Sequence, residues 1–270
     1  IPILCWHLKV QKSMRNWIPF NHAGEFSFDA ESLRHQWNAL HAGDREPLPK
    51  DDKELDAWVH FHNGAFHKAY EAGLQCGPAG LNVAHKSACM YAAYIEPREK
   101  DKQDLYLEVS DRAAAQAKAH PELPGAHYWQ AYALGRYSQG VSVAKALAQG
   151  IGSRVKHALE TTIQLEPRHA EAHIALGVFH AEVIDKVGIL IGNMTYGARK
   201  ETSLKLFQQG LLLTPKSPIA MMEYANSLVM LEGDKRMEDA TRLYEKAVAI
   251  QPLDAKERLE VDMARAELAG

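Results

Sequence analysis

The sequence predicts an all-α fold, a solenoid built from consecutive pairs of antiparallel helices. Residues that start and end helices recur densely along the chain, and the Ile-, Val- and Thr-rich runs that mark strands are missing. Three stretches also end alike, in a helix stopped by a proline, which indicates an internal repeat. They are IQLEP at 163–167, LLLTP at 211–215 and VAIQP at 248–252.

Residues 1–28 are expected to form an N-terminal arm. Between positions 1 and 20, apolar side chains such as Trp17 and Phe20 lie among basic residues without a helical or strand period. We expect this arm to pack on the body of the protein. The alternatives are a partner-binding segment or a segment derived from cloning.

Helical hairpins are predicted over residues 29–119. Asp29 caps a helix that carries Leu33 and Trp37 at four-residue spacing, and the prolines at positions 47 and 49 then force a loop. The further helices are predicted at 55–62, 66–75, 79–95 and 100–119.

Residues 120–252 resemble three tetratricopeptide repeats. The last repeat matches the family pattern best, with small residues and one aromatic residue at the expected spacing: Ala225, Ala240, Tyr244, Ala247 and Pro252. The two earlier repeats carry Leu134-Gly135 and Leu176-Gly177 on their first helices, and Phe207 lies on a second helix. The resemblance implies a right-handed superhelical solenoid, and we interpret residues 253–270 as its C-terminal capping helix.

The proline-stopped ends lie farther apart than the roughly 34 residues of a tetratricopeptide repeat, which requires insertions. We place these at 138–152 and 183–198, and both are unusually apolar for solvent-exposed loops. They are expected to lengthen the first helix of each pair and to form an apolar lobe. A homo-oligomer interface and a cavity for a small ligand remain the alternatives for this lobe.

A second resemblance is carried by HYWQAYALGRY at 127–137 and VKHALETTIQLEP at 155–167. These motifs are similar to the regulator-of-microtubule-dynamics family of repeat proteins. The resemblance implies a helical adaptor.

The first helices of successive pairs line the concave surface of such a solenoid, so their residues determine what binds there. Equivalent positions in the three repeats give a mostly apolar set of candidate partner-binding residues: Trp129, Tyr132, Arg136, Ile174, Val178, Ile219, Met222 and Asn226. Only Arg136 and Asn226 resemble the polar groups with which tetratricopeptide domains grip an acidic peptide terminus. We therefore expect a scaffold that binds an apolar segment of a protein partner, unless another part of the chain fills the groove itself.

Catalysis and cofactors are not expected from the motifs. Nucleotide-binding glycine motifs, a nucleophile elbow and HExxH are all lacking. His169, His173 and His180 share a helical face, which is compatible with a metal site. Histidines packed in the fold are more common than histidines that bind a metal, however. A metal-dependent enzyme and a carrier of a small apolar ligand are the alternatives to the scaffold.

Composition narrows the partners further. The formal net charge is only −3, which gives no indication of nucleic acid or of an anionic membrane, and no apolar run is long enough to span a bilayer. Cys5, Cys76 and Cys89 lack CxxC spacing, which fits a reduced compartment. We expect a cytoplasmic protein, with a processed exported form as the alternative because the chain begins at Ile1.

Overall fold

The structure, a computed structural model, describes residues 16–269, so residues 1–15 of the predicted arm, including Cys5, lie outside the described residues. Within this range the chain forms fourteen α-helices and a short 3-10 segment, and it contains no strand. The helices are α1 (Ala30–Leu40), α2 (Asp52–His62), α3 (Phe66–Gln75), α4 (Leu81–Tyr94), α5 (Glu99–Ala119), α6 (Pro124–Gln139), α7 (Val143–Ala148), α8 (Ile151–Leu165), α9 (Ala170–Val187), α10 (Ile189–Tyr196), α11 (Lys200–Leu213), α12 (Pro218–Glu232), α13 (Met237–Val248) and α14 (Ala255–Ala269). The predicted all-α class is confirmed.

Local sequence explains where the helices begin. Asp29 caps α1 by accepting a hydrogen bond from the backbone N–H of Ser32, and the Ser32 hydroxyl oxygen accepts one from the backbone N–H of Asp29. Pro124 and Pro218 stand in the first turn of α6 and α12, where a missing N–H costs nothing.

Consecutive helices pack in pairs along the chain, and the closest pairs include α5 with α6, α9 with α11, and α12 with α13. One hydrophobic cluster joins buried side chains from α1 to α6, from α8 and α9, and from α14. The hairpins of residues 29–119 therefore share a core with the helices that follow them.

Close approach of α9 and α11 depends on small residues. The Ser203 hydroxyl donates a hydrogen bond to the backbone oxygen of Gly177, and a Cβ on Gly177 would lie only 3.0 Å from the Phe207 ring. Phe207 itself is fully buried against Ile174 and Ala220. Phe207 therefore fills the space between this helix pair and α12.

Each insertion forms a short helix. The first follows the end of α6 at Gln139 and folds as α7, which is capped by the Ser142 hydroxyl. The second prolongs α9 to Val187, and Gly188 then turns the chain at a φ of 82° into α10.

Both ends of the described chain return to the first hairpins. The Trp17 ring stacks on Tyr91 with centroids 4.1 Å apart, and Phe20 is buried against Phe66. Helix α14 packs on α12 and α13, as expected for a cap, and it also reaches α2 and α4. The last helix thus bridges the two ends of the helix array.

Candidate functional site

A partly open, mainly apolar cavity of about 220 Å³ lies between the insertions and the first helices of the pairs. Its wall is formed by residues from α4, α6, α7, α8, α9, α10, α12 and α14. Residues from both insertions, including Leu147 and Tyr196, face the same space. The predicted groove and the predicted apolar insertions therefore meet at one site, which we name the apolar cavity.

Five of the eight predicted partner-binding residues lie together in the wall of the apolar cavity: Tyr132, Arg136, Ile174, Val178 and Ile219. The other three lie elsewhere. Trp129 is buried in the main core, and Met222 is buried in a second cluster with Ala247. The Asn226 side chain accepts a hydrogen bond from the Tyr244 hydroxyl at 2.8 Å and does not line the cavity.

Arg136 is the main polar group in the apolar part of the wall. Its guanidinium donates to the Glu223 carboxylate at 2.7 Å and lies 5.3 Å from the centre of the Tyr132 ring. Burial raises the pKa of Tyr132 to about 12, although the nearby Arg136 lowers it. The phenol therefore stays protonated at neutral pH, as a hydrogen-bond donor next to a fixed cation.

Charged side chains from α9 and α14 form one end of the cavity. The Lys256 ammonium lies 2.8 Å from Glu260 Oε1 and 3.3 Å from Glu171 Oε1. The second oxygen of Glu260, Oε2, is buried and has no hydrogen-bond partner among the described residues. Burial raises the pKa of Glu260, so the apolar cavity ends at a carboxyl group with unused hydrogen-bonding capacity.

Behind this end lies a buried polar network that links α14 to the first hairpins. The Lys86 ammonium lies 2.6 Å from Asp44, and Asp44 also accepts from His41 at 2.9 Å. His62 donates to Asp254 at 2.7 Å, and the Nε2 atoms of His41 and His62 are 3.2 Å apart. Asp254 also accepts from the backbone N–H of Glu257 in the first turn of α14.

The two imidazoles of this network are one proton short of a complete set of hydrogen bonds. Two neutral rings supply the protons for the contacts to Asp44 and Asp254, and the contact between the two Nε2 atoms needs a third. Burial opposes that third proton, because it lowers the pKa of His41 to about 4 and also lowers the pKa of His62. Lowering the pH therefore adds a third proton to the His41–His62 pair in the folded protein.

The histidines considered as metal ligands are engaged in the fold. His169 caps α9 by accepting from the backbone N–H of Ala172, and His180 accepts from the backbone N–H of Arg199. His173 donates to the backbone oxygen of Pro167. Across residues 16–269, no three His, Cys, Asp or Glu side chains are grouped closely enough to hold a metal ion.

Sequence reasoning missed the residues that α14 brings to the site. Lys256 and Glu260 belong to the predicted capping helix, and nothing in the sequence indicates that this helix reaches α2 and α4. The offset between repeats does indicate Glu171 as a groove residue, because its position in the second repeat is equivalent to that of Trp129 in the first. None of the helices in the described part of the chain is long and apolar enough to cross a bilayer.

The fold and the cavity define an all-helical protein of consecutive helix pairs, with an apolar cavity that ends in buried charges. The chain belongs to the family described as regulator of microtubule dynamics protein 1-3, whose family model matches residues 60–268. No curated protein matches this chain. The family resemblance predicted from the short motifs is confirmed.

Proposed function

We propose that this chain is a non-catalytic adaptor that binds an apolar segment of a protein partner at the apolar cavity. The observation that carries the proposal is the convergence of Tyr132, Arg136, Ile174, Val178 and Ile219 on one open apolar space. Apolar concave surfaces of this kind bind partner segments through a few side-chain anchors. Membership of a family named for the regulation of microtubule dynamics supports a role in protein interactions.

The size of the cavity limits what enters it. An α-helix is about 10 Å wide, so a space of about 220 Å³ takes one or two large side chains rather than a whole helix. Burying two such side chains contributes roughly 3–6 kcal/mol, which corresponds to weak binding on its own. The partner must therefore also make polar contacts, and the Arg136–Glu223 ion pair in the wall offers charged hydrogen-bonding groups for them.

A small apolar ligand is the second candidate, and one observation favours it. Both insertions line the cavity, so the space is walled on more sides than the concave face alone would provide. An amphiphilic molecule would place its apolar part along Ile174 and Leu147 and a hydrogen-bonding group near Glu260. Native mass spectrometry after gentle purification tests this candidate, because a bound molecule adds a reproducible mass.

Site-specific photo-crosslinking tests the adaptor proposal directly. A photoreactive phenylalanine derivative replaces Ile219, which lines the cavity, and a control protein carries it at Leu212, which is exposed and does not line the cavity. The crosslinked products are then identified by mass spectrometry. Because the family is named for microtubule dynamics, microtubules and proteins bound to them are the first partners to include.

The adaptor proposal predicts crosslinks from position 219 to a defined apolar segment of a protein, and none to that segment from position 212. Crosslinks from position 219 only to a small molecule would support the second candidate instead. Identical products from both positions would contradict binding at the cavity.

A further inference from the structure

Helix α10 carries the most exposed cluster of large apolar side chains in the described chain. Ile189, Leu190, Ile191 and Met194 are exposed by 65, 74, 58 and 81 %. Within this helix only Gly192 is buried, so α10 touches the body along a narrow line. Four neighbouring apolar side chains in water are unfavourable unless something covers them.

Helix α10 forms one surface with the start of α8. Tyr196 packs over Gly152, where a Cβ would lie 2.8 Å from its ring, and Lys156 approaches Gly197. Val143 and Leu147 of α7 are also exposed, by 41 and 45 %. We name residues 143–156 and 186–200 the insertion lobe.

Charge in the insertion lobe has one sign. Neither 136–159 nor 186–200 contains an aspartate or a glutamate, although acidic residues outnumber basic ones in the whole chain. Arg154 and Arg199 are exposed and form no ion pair among the described residues, and Lys145 lies over the Tyr137 ring.

The remaining cations of the lobe are paired with acids outside it. Lys156, Lys186 and Lys200 lie within 4.0 Å of Glu160, Glu182 and Glu232. Lys145, Arg154 and Arg199 are therefore the lobe cations that form no ion pair among the described residues, and they accompany its exposed apolar side chains although the net charge of the whole chain is −3.

We propose that the insertion lobe docks on an anionic lipid bilayer, with α10 lying in the interface. Exposed aliphatic side chains flanked by Lys and Arg suit this environment, because the apolar groups enter the acyl boundary while the cations meet the lipid headgroups. The proposal concerns the outside of the lobe and does not depend on what occupies the apolar cavity.

A second copy of the chain suits this surface less well. A two-fold symmetric contact pairs the same patch with itself, which would bring Arg154 and Arg199 of one copy towards those of the other. Anionic headgroups neutralise these cations, whereas a second copy adds to their repulsion.

Vesicle flotation with the full chain tests the proposal. The chain is mixed with vesicles of phosphatidylcholine alone or of phosphatidylcholine with phosphatidylserine, and the bound fraction is measured at low and high salt. We expect binding to the mixed vesicles only, weakened by salt. Arg154→Gln and Arg199→Gln should each reduce the affinity about fivefold, since each removes one cation near the surface.

Matched variants distinguish binding through the lobe from nonspecific hydrophobic adsorption to vesicles. Leu190→Glu and Met194→Glu should abolish flotation, whereas Leu212→Glu should float like the wild type. Leu212 is equally exposed but lies roughly 18 Å along α11 from its first residue. Light scattering of each protein reports its oligomeric state.

Binding to the mixed vesicles that is lost only in the lobe variants supports the proposal. The absence of flotation, or equal flotation of all variants, would overturn it. A dimer that Leu190→Glu dissociates, without vesicle binding by the wild type, would instead assign the lobe to a second copy.

Discussion

Lys86 is almost completely buried, and its ammonium reaches the equally buried carboxylate of Asp44 at 2.6 Å. The ammonium also lies 5.3 Å from the centre of the Phe61 ring. A buried charge that loses its partner keeps its full desolvation penalty. This contact is therefore one of the most sensitive single interactions in the chain.

We predict that Lys86→Met lowers the free energy of unfolding by about 3–5 kcal/mol, because Asp44 would be left without its cation. Urea unfolding measures this loss. Arg242→Met is the matched control, since its ion pair with Glu238 is exposed and should contribute less than about 1 kcal/mol. Similar losses in the two variants would contradict a special role for the buried pair.

At the scale of single residues, sequence patterns predicted the helix face on which a side chain lies better than they predicted its surroundings. The offset between repeats brought Tyr132, Ile174 and Ile219 to the cavity wall, because equivalent positions on first helices face the same way. It also selected Trp129, which the structure places in the core. Periodicity gives the face of a helix, but not whether a neighbouring helix covers it.

Helix α14 depends on Asp254 at its N-terminus in two ways. The carboxylate accepts from the backbone N–H of Glu257 as a cap, and it also accepts from His62 of α2. The first contact starts the helix, and the second fixes it to the first hairpin. These two effects are separable by substitution.

We predict that Asp254→Asn lowers the stability by about 1.5–3 kcal/mol, because the amide keeps the cap but loses the charged contact with His62. Asp254→Ala should cost about 1 kcal/mol more, since it also removes the cap. Amide hydrogen exchange along α14 measures how firmly the helix is docked. Wild-type exchange in both variants would show that α14 is held by other contacts.

At the scale of helices, most spans followed from the sequence. The prediction for 66–75 matches α3 at both ends, and the prediction for 100–119 differs from α5 by one residue. The separate helix α7 was not predicted, because six residues between glycines carry too little periodicity. Helix α10 was missed for the same reason.

At the scale of the whole molecule, buried titratable groups make stability depend on pH. Burial lowers the pKa of His41 from 6.5 to about 4, so between these values the unfolded chain binds a proton that the folded chain does not. The contribution of His41 to stability should therefore fall by up to about 3 kcal/mol as the pH drops from 6.5 to 4.

Two partly buried carboxyls act in the opposite direction. Burial raises the pKa of Glu46 to about 8 and that of Glu257 to about 7, so these groups cost stability as the pH rises above 4.5. We predict that Glu46→Gln steepens the loss of stability on the acid side and flattens the loss on the alkaline side. Unfolding by urea across this pH range measures both slopes, and parallel curves for the variant and the wild type would contradict the assignment.

The arrangement of the whole molecule was the least predictable from sequence. Asp254 and His62 are far apart in the chain, and the fold brings them together through a helix that looked like a simple cap. The cavity likewise needs residues from eight helices at once. Such contacts depend on how successive helix pairs are oriented, which local patterns do not encode.

Binding of the partner at the apolar cavity is the main proposal made for this protein. Affinity purification of the wild type, Val178→Trp and Leu212→Trp, quantified by mass spectrometry, tests it most directly, because the first substitution fills the cavity and the second adds the same ring outside it. Thermal unfolding confirms that each variant is folded. The account predicts that Val178→Trp alone loses a defined subset of partners, and recovery of the same partners by all three proteins would contradict it.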